Sequence, residues 1–490
     1  IAQRKIPPVG MIVSGGPGID PEFFRTNPLY FPVSGAIDHR GLEITPVDER
    51  EVSRVADLLK QQEIRYVGVV GKFSVRNPQH EIRISNILNE SFDRVFVGHK
   101  VSGKLNFARR IATTYLNAAV YPIHKDFFEA VQKSLQTRGL GLPIRLLKAD
   151  GGNMKLTSSI ELPSQTILSG PAARVMGAVA LGAEDQDTLV MDIGGTTTDM
   201  AVLIQRSPVL NPLGIRLGEY KTLIRSLETL SIGLGGDSVV SIHNGRLKVG
   251  PERLGPALAY GGPAPTPTDA LLITGDIQNG DRDKAVKGLA PMAEGLGVSV
   301  EDIANDIMAL ACKTILSAAR RLIQRINRKP VYTVHELMEG VRIKPEEILI
   351  LGGPAPCFAD WFSKNSDYRV RTIPRWTVAN AIGAALARTT CEVNLYVDTE
   401  QGIATAPEEQ FTANVSSSFD REQAVERAYA LLKEKAVNKG ANIDHLEMEV
   451  VEALEFNMVR GFSTVGKNIR IRAQVKPGLI HGYERMVRDL

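Results

Sequence analysis

Three features of this sequence predict an α/β fold. Short apolar strands alternate with amphipathic helices through most of the chain, the stretch LVMDIGGTTTDMAVLI reads as strand, Gly/Thr turn and strand, and the apolar run from Ile348 stops abruptly at Gly352 and Gly353. Mixed layers suit this text better than an all-helical or all-β domain.

Taken in order, Val52, Val55, Leu58 and Leu59 form one helical stripe, and Arg65 to Val70 reads as the buried strand that follows it. SNILNESFD then closes a helix before a strand at Val95 to Val97. From Leu189 the hairpin begins, and glycine-rich loops come at Gly233 to Gly236, Gly250 to Gly262 and Gly352 to Gly353. A helix over Glu301 to Arg328 separates the last two, its apolar positions Ile303, Ile307, Leu310, Ile315, Ala318 and Leu322 recurring at helical spacing. PALAYGGPAPTPTD is too rich in Pro and Gly for regular structure and reads as an ordered loop or a linker. Past Glu400, a helix with Val425, Ala428, Tyr429 and Leu432 on one face and strands at Met448 to Leu454 and Ile469 to Val475 predict a small α+β unit.

The chain has 490 residues, 43% of them hydrophobic and 23% charged, which allows two to four domains with sizeable cores. Lys and Arg number 58 against 55 acidic residues, and the formal charge of +3 forms no dense basic stripe, which argues against a nucleic-acid partner. Cys312, Cys357 and Cys391 lie far apart without metal-ligand spacing and read as buried thiols in a reducing cytoplasm. No apolar run approaches the ~20 residues that span a bilayer, and IAQRKIPPVG lacks the apolar stretch of a signal peptide, so a cytoplasmic protein with no membrane partner is expected.

The strongest chemical signal is MDIGGTTTD, Met191 to Asp199. A strand delivers Asp192 to its edge, Gly194 and Gly195 are expected to turn the backbone at positive φ, and the amides from Gly195 to Thr198 then point into one concavity suited to phosphate oxygens. The hydroxyls of Thr196, Thr197 and Thr198 add donors. Asp192 and Asp199 flank the turn as carboxylates able to hold Mg²⁺ through water or to orient an attacking water. The competing reading is an ordinary Gly-Gly hairpin, which requires neither the threonines nor the flanking aspartates. SIGLGGDS, with Gly235, Gly236 and Ser238, is a second phosphate-loop candidate that also reads as a plain turn. Gly352 and Gly353 suit close backbone approach to a flat ligand such as adenine, or a tight strand-to-helix turn.

In this order the three loops and the intervening helix resemble the nucleotide site of the actin, sugar kinase and heat-shock ATPase superfamily. The resemblance implies two actin-like (ribonuclease H-like) lobes around a nucleotide cleft, to which the sequence adds the C-terminal α+β unit. A closer resemblance, from about Pro8 to Ala387, is to the hydantoinase/oxoprolinase A-type chains. It is carried by FSVRNPQHE, ADGGNM, ILSGPAARVMGA, DIGGTTTD, GLGGDS, RLKVGPERLGPALAYGG and TPTDA, in that order.

What this second resemblance implies is ATP-driven opening of a cyclic amide such as a hydantoin or 5-oxoproline, or ATP-driven activation of a small carbonyl compound for carboxylation. A B-type partner subunit and self-association are compatible with it. ATP and Mg²⁺ are the implied cofactors. Carried over by position, Asp192, Gly194, Gly195, Thr196, Thr197 and Asp199 hold phosphate and metal, with Thr198 beside them. Gly235, Gly236 and Ser238 make the next phosphate contacts, and Gly352 and Gly353 meet the adenosine. Asp150, Gly151, Gly152, Ser169, Gly170 and Pro171 fall nearer the substrate or terminal phosphate, with Asp150 joining Asp192 and Asp199 as a catalytic candidate. Asp269 is a further substrate candidate, or the cap of the helix after it. The alternative from another class is a non-catalytic ATPase switch that remodels or reactivates a partner protein; a kinase is set apart by a stable phosphorylated product.

The implied domains are a first lobe at 1–165, an ATP-binding core at 166–400 and the C-terminal unit at 401–490. Family chains open with another Asp-Gly-Gly-Thr hairpin; either that first phosphate loop lies ahead of Ile1, which is the expectation, or half of the phosphate clamp is lost. Two positions depart from the family pattern, Arg174 and Asp237, each placing a charge where glycine is expected. Arg174 suits an acidic ligand or a salt bridge, and Asp237 beside polyphosphate needs a basic neighbour. His80 is the one histidine near a motif and reads more readily as a core partner than as a catalyst.

Overall fold

In the computed structural model, which describes residues 6–211, 213–328 and 342–488, the chain packs into two compact units, both discontinuous. One comprises 1–168, 211–226 and 388–477; the other comprises 169–210, 227–387 and 478–490. This division is not three consecutive blocks. The 211–226 excursion and the segment after 387 join the first unit through packing that is remote in sequence.

The first unit has a parallel sheet ordered Tyr30–Val33, Gly10–Ser14, Tyr66–Gly71 and Arg94–Val97. Helix Glu49–Gln61 starts where the Asp48 carboxylate accepts from Arg50 N, and it buries Val52, Val55, Ala56 and Leu59. Leu58 lies off this stripe, 46% exposed; Ala56 takes the place the periodicity gave it. A 31-residue helix, Phe107–Thr137, follows and is buried almost all round from Arg110 to Ala119. The unit also holds an antiparallel sheet ordered Phe411–Asn414, Ile403–Ala406, Glu392–Asp398, Ser463–Val475 and Met448–Arg460. Helix Arg421–Asn438, opened by an Asp420/Gln423 capping box, lays Ala424, Ala428, Leu432 and Ala436 on it. The two last strands run 13 residues each, longer than their apolar cores suggest.

The second unit is built on the predicted hairpin. Strand Thr188–Ile193 pairs antiparallel with Thr198–Ile204, which pairs on its other side with Thr229–Ile232. Glu347–Leu351 and Arg369–Thr372 extend the sheet in parallel beyond Thr188–Ile193. Three antiparallel strands followed by two parallel ones is the arrangement expected of a ribonuclease H-like lobe. Helix Val300–Asn327, capped by Ser299, packs Ile303, Ile307, Ile315 and Leu322 into the main core with Met191, Ile193 and Met200. Each such side chain contributes about 1.5–3 kcal/mol, so the hairpin's position is strongly specified.

Candidate functional site

The hairpin register makes Asp192 and Asp199 directly opposed residues on neighbouring strands. Like charges so placed repel. The compensation comes from helix Ser169–Leu181: Arg174 Nε lies 2.7 Å from Asp192 Oδ2, and its Nη1 lies 2.5 Å from Asp199 Oδ2. The helix that carries Arg174 is held by a close crossing with Ala379–Leu386, where a Cβ on Gly177 would come within 2.2 Å of Ala379 O. Burial pushes the Asp192 carboxyl up to about 6, against the pull of Arg174 and with the help of Asp199.

Between the aspartates the turn runs Gly194–Thr197, closed by Gly194 N donating to Thr197 O at 2.9 Å. Neither Gly194 nor Gly195 has positive φ, contrary to the expectation from the sequence; room is what requires glycine here. A Cβ on Gly195 would fall 2.5 Å from Asp237 Oδ2, and one on Gly235 would fall 2.3 Å from Gly194 O. The second loop docks on the turn by backbone, with Gly236 N donating to Gly194 O (2.9 Å) and Asp237 N to Gly195 O (2.7 Å). These contacts use the turn's carbonyls. The amides of Gly195, Thr196 and Thr197 find no acceptor among the described residues, and Thr196 is exposed. Three consecutive backbone donors on this bend are thus unspent within the described chain.

The remaining hydroxyls divide by task. Thr198 is buried and donates to Leu234 O at 2.7 Å, and buried Ser238 Oγ accepts from Gly235 N at 2.8 Å, so both tie loops together. The basic neighbour that Asp237 needs is Arg253, whose Nη2 lies 2.9 Å from Asp237 Oδ2. The third loop meets the first at Asp192. Gly352, at φ +102, stands where a Cβ would lie 2.1 Å from Ile193 O and 2.7 Å from Asp192 Oδ1, whereas a Cβ on Gly353 would meet nothing within 4 Å. Gly352 is thus structural and Gly353 open. Thr268, at the start of helix Pro267–Thr274, joins the cluster by donating N and Oγ1 to Gly236 O. The Pro/Gly-rich stretch before it is an ordered loop that delivers this helix.

Ser169 and Gly170 head the Arg174 helix, with open space around Gly170. Asp269 is wholly buried, and its oxygens accept from Leu258 N, Ala259 N, Thr266 N and Thr266 Oγ1 as the capping box of Pro267–Thr274. Asp150, Gly151 and Gly152 belong to the first unit. There Asp150 accepts from Gly152 N (3.0 Å), Lys148 Nζ (3.2 Å) and Thr390 Oγ1 (2.8 Å). Burial works to raise its pKa, yet Lys148, Arg225 and these hydrogen bonds hold it at about 2. Gly151 turns at φ +79, and Gly152 leaves no space beside Thr390. His80 is buried with Nε2 2.8 Å from Glu43 Oε1, a core partner. Arg253 and Thr268 were not singled out by sequence reasoning. The signal for Arg253 was its place inside the RLKVGPERLGPALAYGG motif, together with the expectation that Asp237 has a basic neighbour.

The chain matches the hydantoinase/oxoprolinase family over residues 110–393 and that family's N-terminal region over 9–92, and it belongs to this family. It is 28% identical over 311 residues to the caprolactamase subunit alpha of Pseudomonas jessenii, covering 59% of this chain and 44% of that protein. It is 26% identical over 319 residues to the acetophenone carboxylase gamma subunit of Aromatoleum aromaticum, covering 60% and 43%. The matched stretch therefore spans less than half of either relative. The crystal structure of the Pseudomonas jessenii ATP-dependent caprolactamase shares the fold, with a TM-score of 0.71 at 20% identity over 96% of this chain and 76% of that one. Among the described residues no helix is long and apolar enough to cross a membrane.

Proposed function

We propose that this chain supplies the ATP-binding part of an enzyme that activates a small amide or carbonyl compound, either to hydrolyse a cyclic amide of the hydantoin, lactam or 5-oxoproline type or to carboxylate a ketone. The observation that carries this reading is the row of three unspent amides, Gly195 to Thr197, on a bend flanked by two aspartates. Family membership and the printed activities of the relatives support it.

In this reading the Gly195, Thr196 and Thr197 amides bind phosphate oxygens, and the Gly235–Gly236 backbone fixes the bend that presents them. Gly353 leaves the passage for the adenosine, while Gly352 holds Asp192 at its edge. Asp192 or Asp199 orients the attacking oxygen, and Ser169 and Gly170 offer helix N-terminal donors to the substrate or the last phosphate. Two hard carboxylates at one strand edge fit Mg²⁺ held largely through water. Arg174 now bridges both, so admitting the ion requires its guanidinium to release at least one. Bound ATP would supply a phosphoryl group to the carbonyl oxygen, which on an amide makes the carbon electrophilic towards water with phosphate as the group that leaves, and on a ketone holds the enolate oxygen that the carboxylated product keeps. Asp150, Gly151, Gly152 and Asp269 serve the architecture, and a B-type subunit is the proposed partner.

The test is phosphate release from Mg-ATP by the full chain, with and without a B-type subunit, across hydantoins, lactams, 5-oxoproline and ketones. At least one compound should accelerate release. If none does while a protein partner does, the non-catalytic switch replaces the enzyme reading.

A further inference from the structure

Within the first unit, two strands of the antiparallel sheet place Arg470 opposite Tyr396 and Arg472 opposite Asn394, so these four residues share one face. On the other side of the Ser463–Val475 strand, Glu452 pairs with Arg472. Over this face lie Lys104, Asn106 and Arg109 at the head of helix Phe107–Thr137. Between them is a pocket of about 220 Å³, large beside the ~30 Å³ share of one liquid water.

Its charge does not balance. Lys104 Nζ has Glu392 at 3.4 Å, and Arg472 Nη2 has Glu452 at 3.9 Å. Arg109 spends Nη1 on two carbonyls, Leu213 O and Thr222 O, and neither it nor Arg470 has a carboxylate within ion-pair distance among the described residues. Two positive charges are left over. Burial, together with repulsion from Arg472 and Arg225, holds the Lys104 amine below its ordinary value despite Glu392. Three of the residues that line the pocket each carry a buried donor without an acceptor in the chain: Asn394 Nδ2, Arg470 Nε and Arg472 Nε. Asn394 is only 7% exposed. A pocket of this size lined by surplus positive charge describes a site for an anion.

We infer that this pocket binds a small dianion, of the phosphate or dicarboxylate type, through Arg470, Arg472 and Asn394. The surplus of two charges sets the valence, and the volume admits a phosphate or a four-carbon diacid. The inference is independent of the nucleotide reading, because none of these residues belongs to the glycine loops.

The experiment follows the melting temperature of the full chain at constant ionic strength against inorganic phosphate, succinate, acetate and sodium chloride. Phosphate or succinate should give a saturable rise that acetate and chloride do not, and whichever acts identifies the kind of dianion. Arg470→Gln should weaken that response at least tenfold and raise the melting temperature without ligand, because it removes an unpaired charge from a cluster of like charges. Its response to Mg-ATP should equal that of the wild type. If neither dianion exceeds chloride, or if Arg470→Gln responds to phosphate as the wild type does, the inference is wrong; the second result assigns the phosphate to the glycine loops. Asn394→Leu, which keeps every charge, should also weaken the response, and serves if Arg470→Gln does not fold.

Discussion

Arg174 Nε stands 2.7 Å from Asp192 Oδ2 while the same guanidinium reaches Asp199, so one positive side chain bridges two opposed carboxylates beside the Gly194–Thr197 turn. In the proposed reading, Arg174 occupies the carboxylates that Mg²⁺ would use.

Competition for the two aspartates yields the first prediction. Arg174→Gly should lower the Mg²⁺ concentration at which Mg-ATP half-saturates the protein, by about tenfold if roughly 1.4 kcal/mol of ion pairing is no longer displaced. Without Mg²⁺ the same variant should be less stable by about 1–2 kcal/mol, a partly exposed bridge being worth less than a buried one. Calorimetric titration at several Mg²⁺ concentrations and urea unfolding check both halves. An unchanged Mg²⁺ requirement contradicts the competition.

The glycines of the third loop should separate by role. Gly352→Ala forces a Cβ into Ile193 O at a left-handed φ and should cost more than about 1 kcal/mol, visible as a lower urea midpoint. Gly353→Ala enters open space and should leave stability within about 0.5 kcal/mol of wild type while weakening Mg-ATP binding. Equal effects of the two on stability contradict the assignment.

The Asp150 cluster predicts a pH dependence. Its folded pKa of about 2 lies below the ordinary carboxylate value, so the ionised group contributes stability above pH ~4 that disappears as the pH falls towards 2, on the order of 2 kcal/mol. Asp150→Asn should flatten that acid limb in unfolding curves taken between pH 2 and 7. At neutral pH it should destabilise further, because Lys148 and Arg225 lose their shared carboxylate. An acid limb as steep as the wild type's contradicts the cluster's role.

What was legible in the sequence was local. The hairpin, the helix over 301–328 and the three glycine loops announce themselves by periodicity and by breaks in it. The reason for the glycines was not legible: Gly195 and Gly235 are small because two loops touch, a fact about residues some forty positions apart. Helix Phe107–Thr137 escaped the pattern because its buried stretch has no polar face and Pro122 interrupts it. Arg174 stood out only as a charge where glycine was expected. Its two partners become visible once the strands are paired. Arg470 and Arg472 lie two apart in a strand read correctly, but their lack of partners depends on what lies over the sheet.

The most direct test of the central claim is amide hydrogen exchange of the full chain with and without Mg-ATP, read by mass spectrometry. The amides of Gly195, Thr196 and Thr197 should exchange freely alone and slow markedly with the nucleotide, in peptides covering 192–199. If saturating Mg-ATP protects other segments and leaves that bend exchanging at its free rate, phosphate is held elsewhere and the account fails.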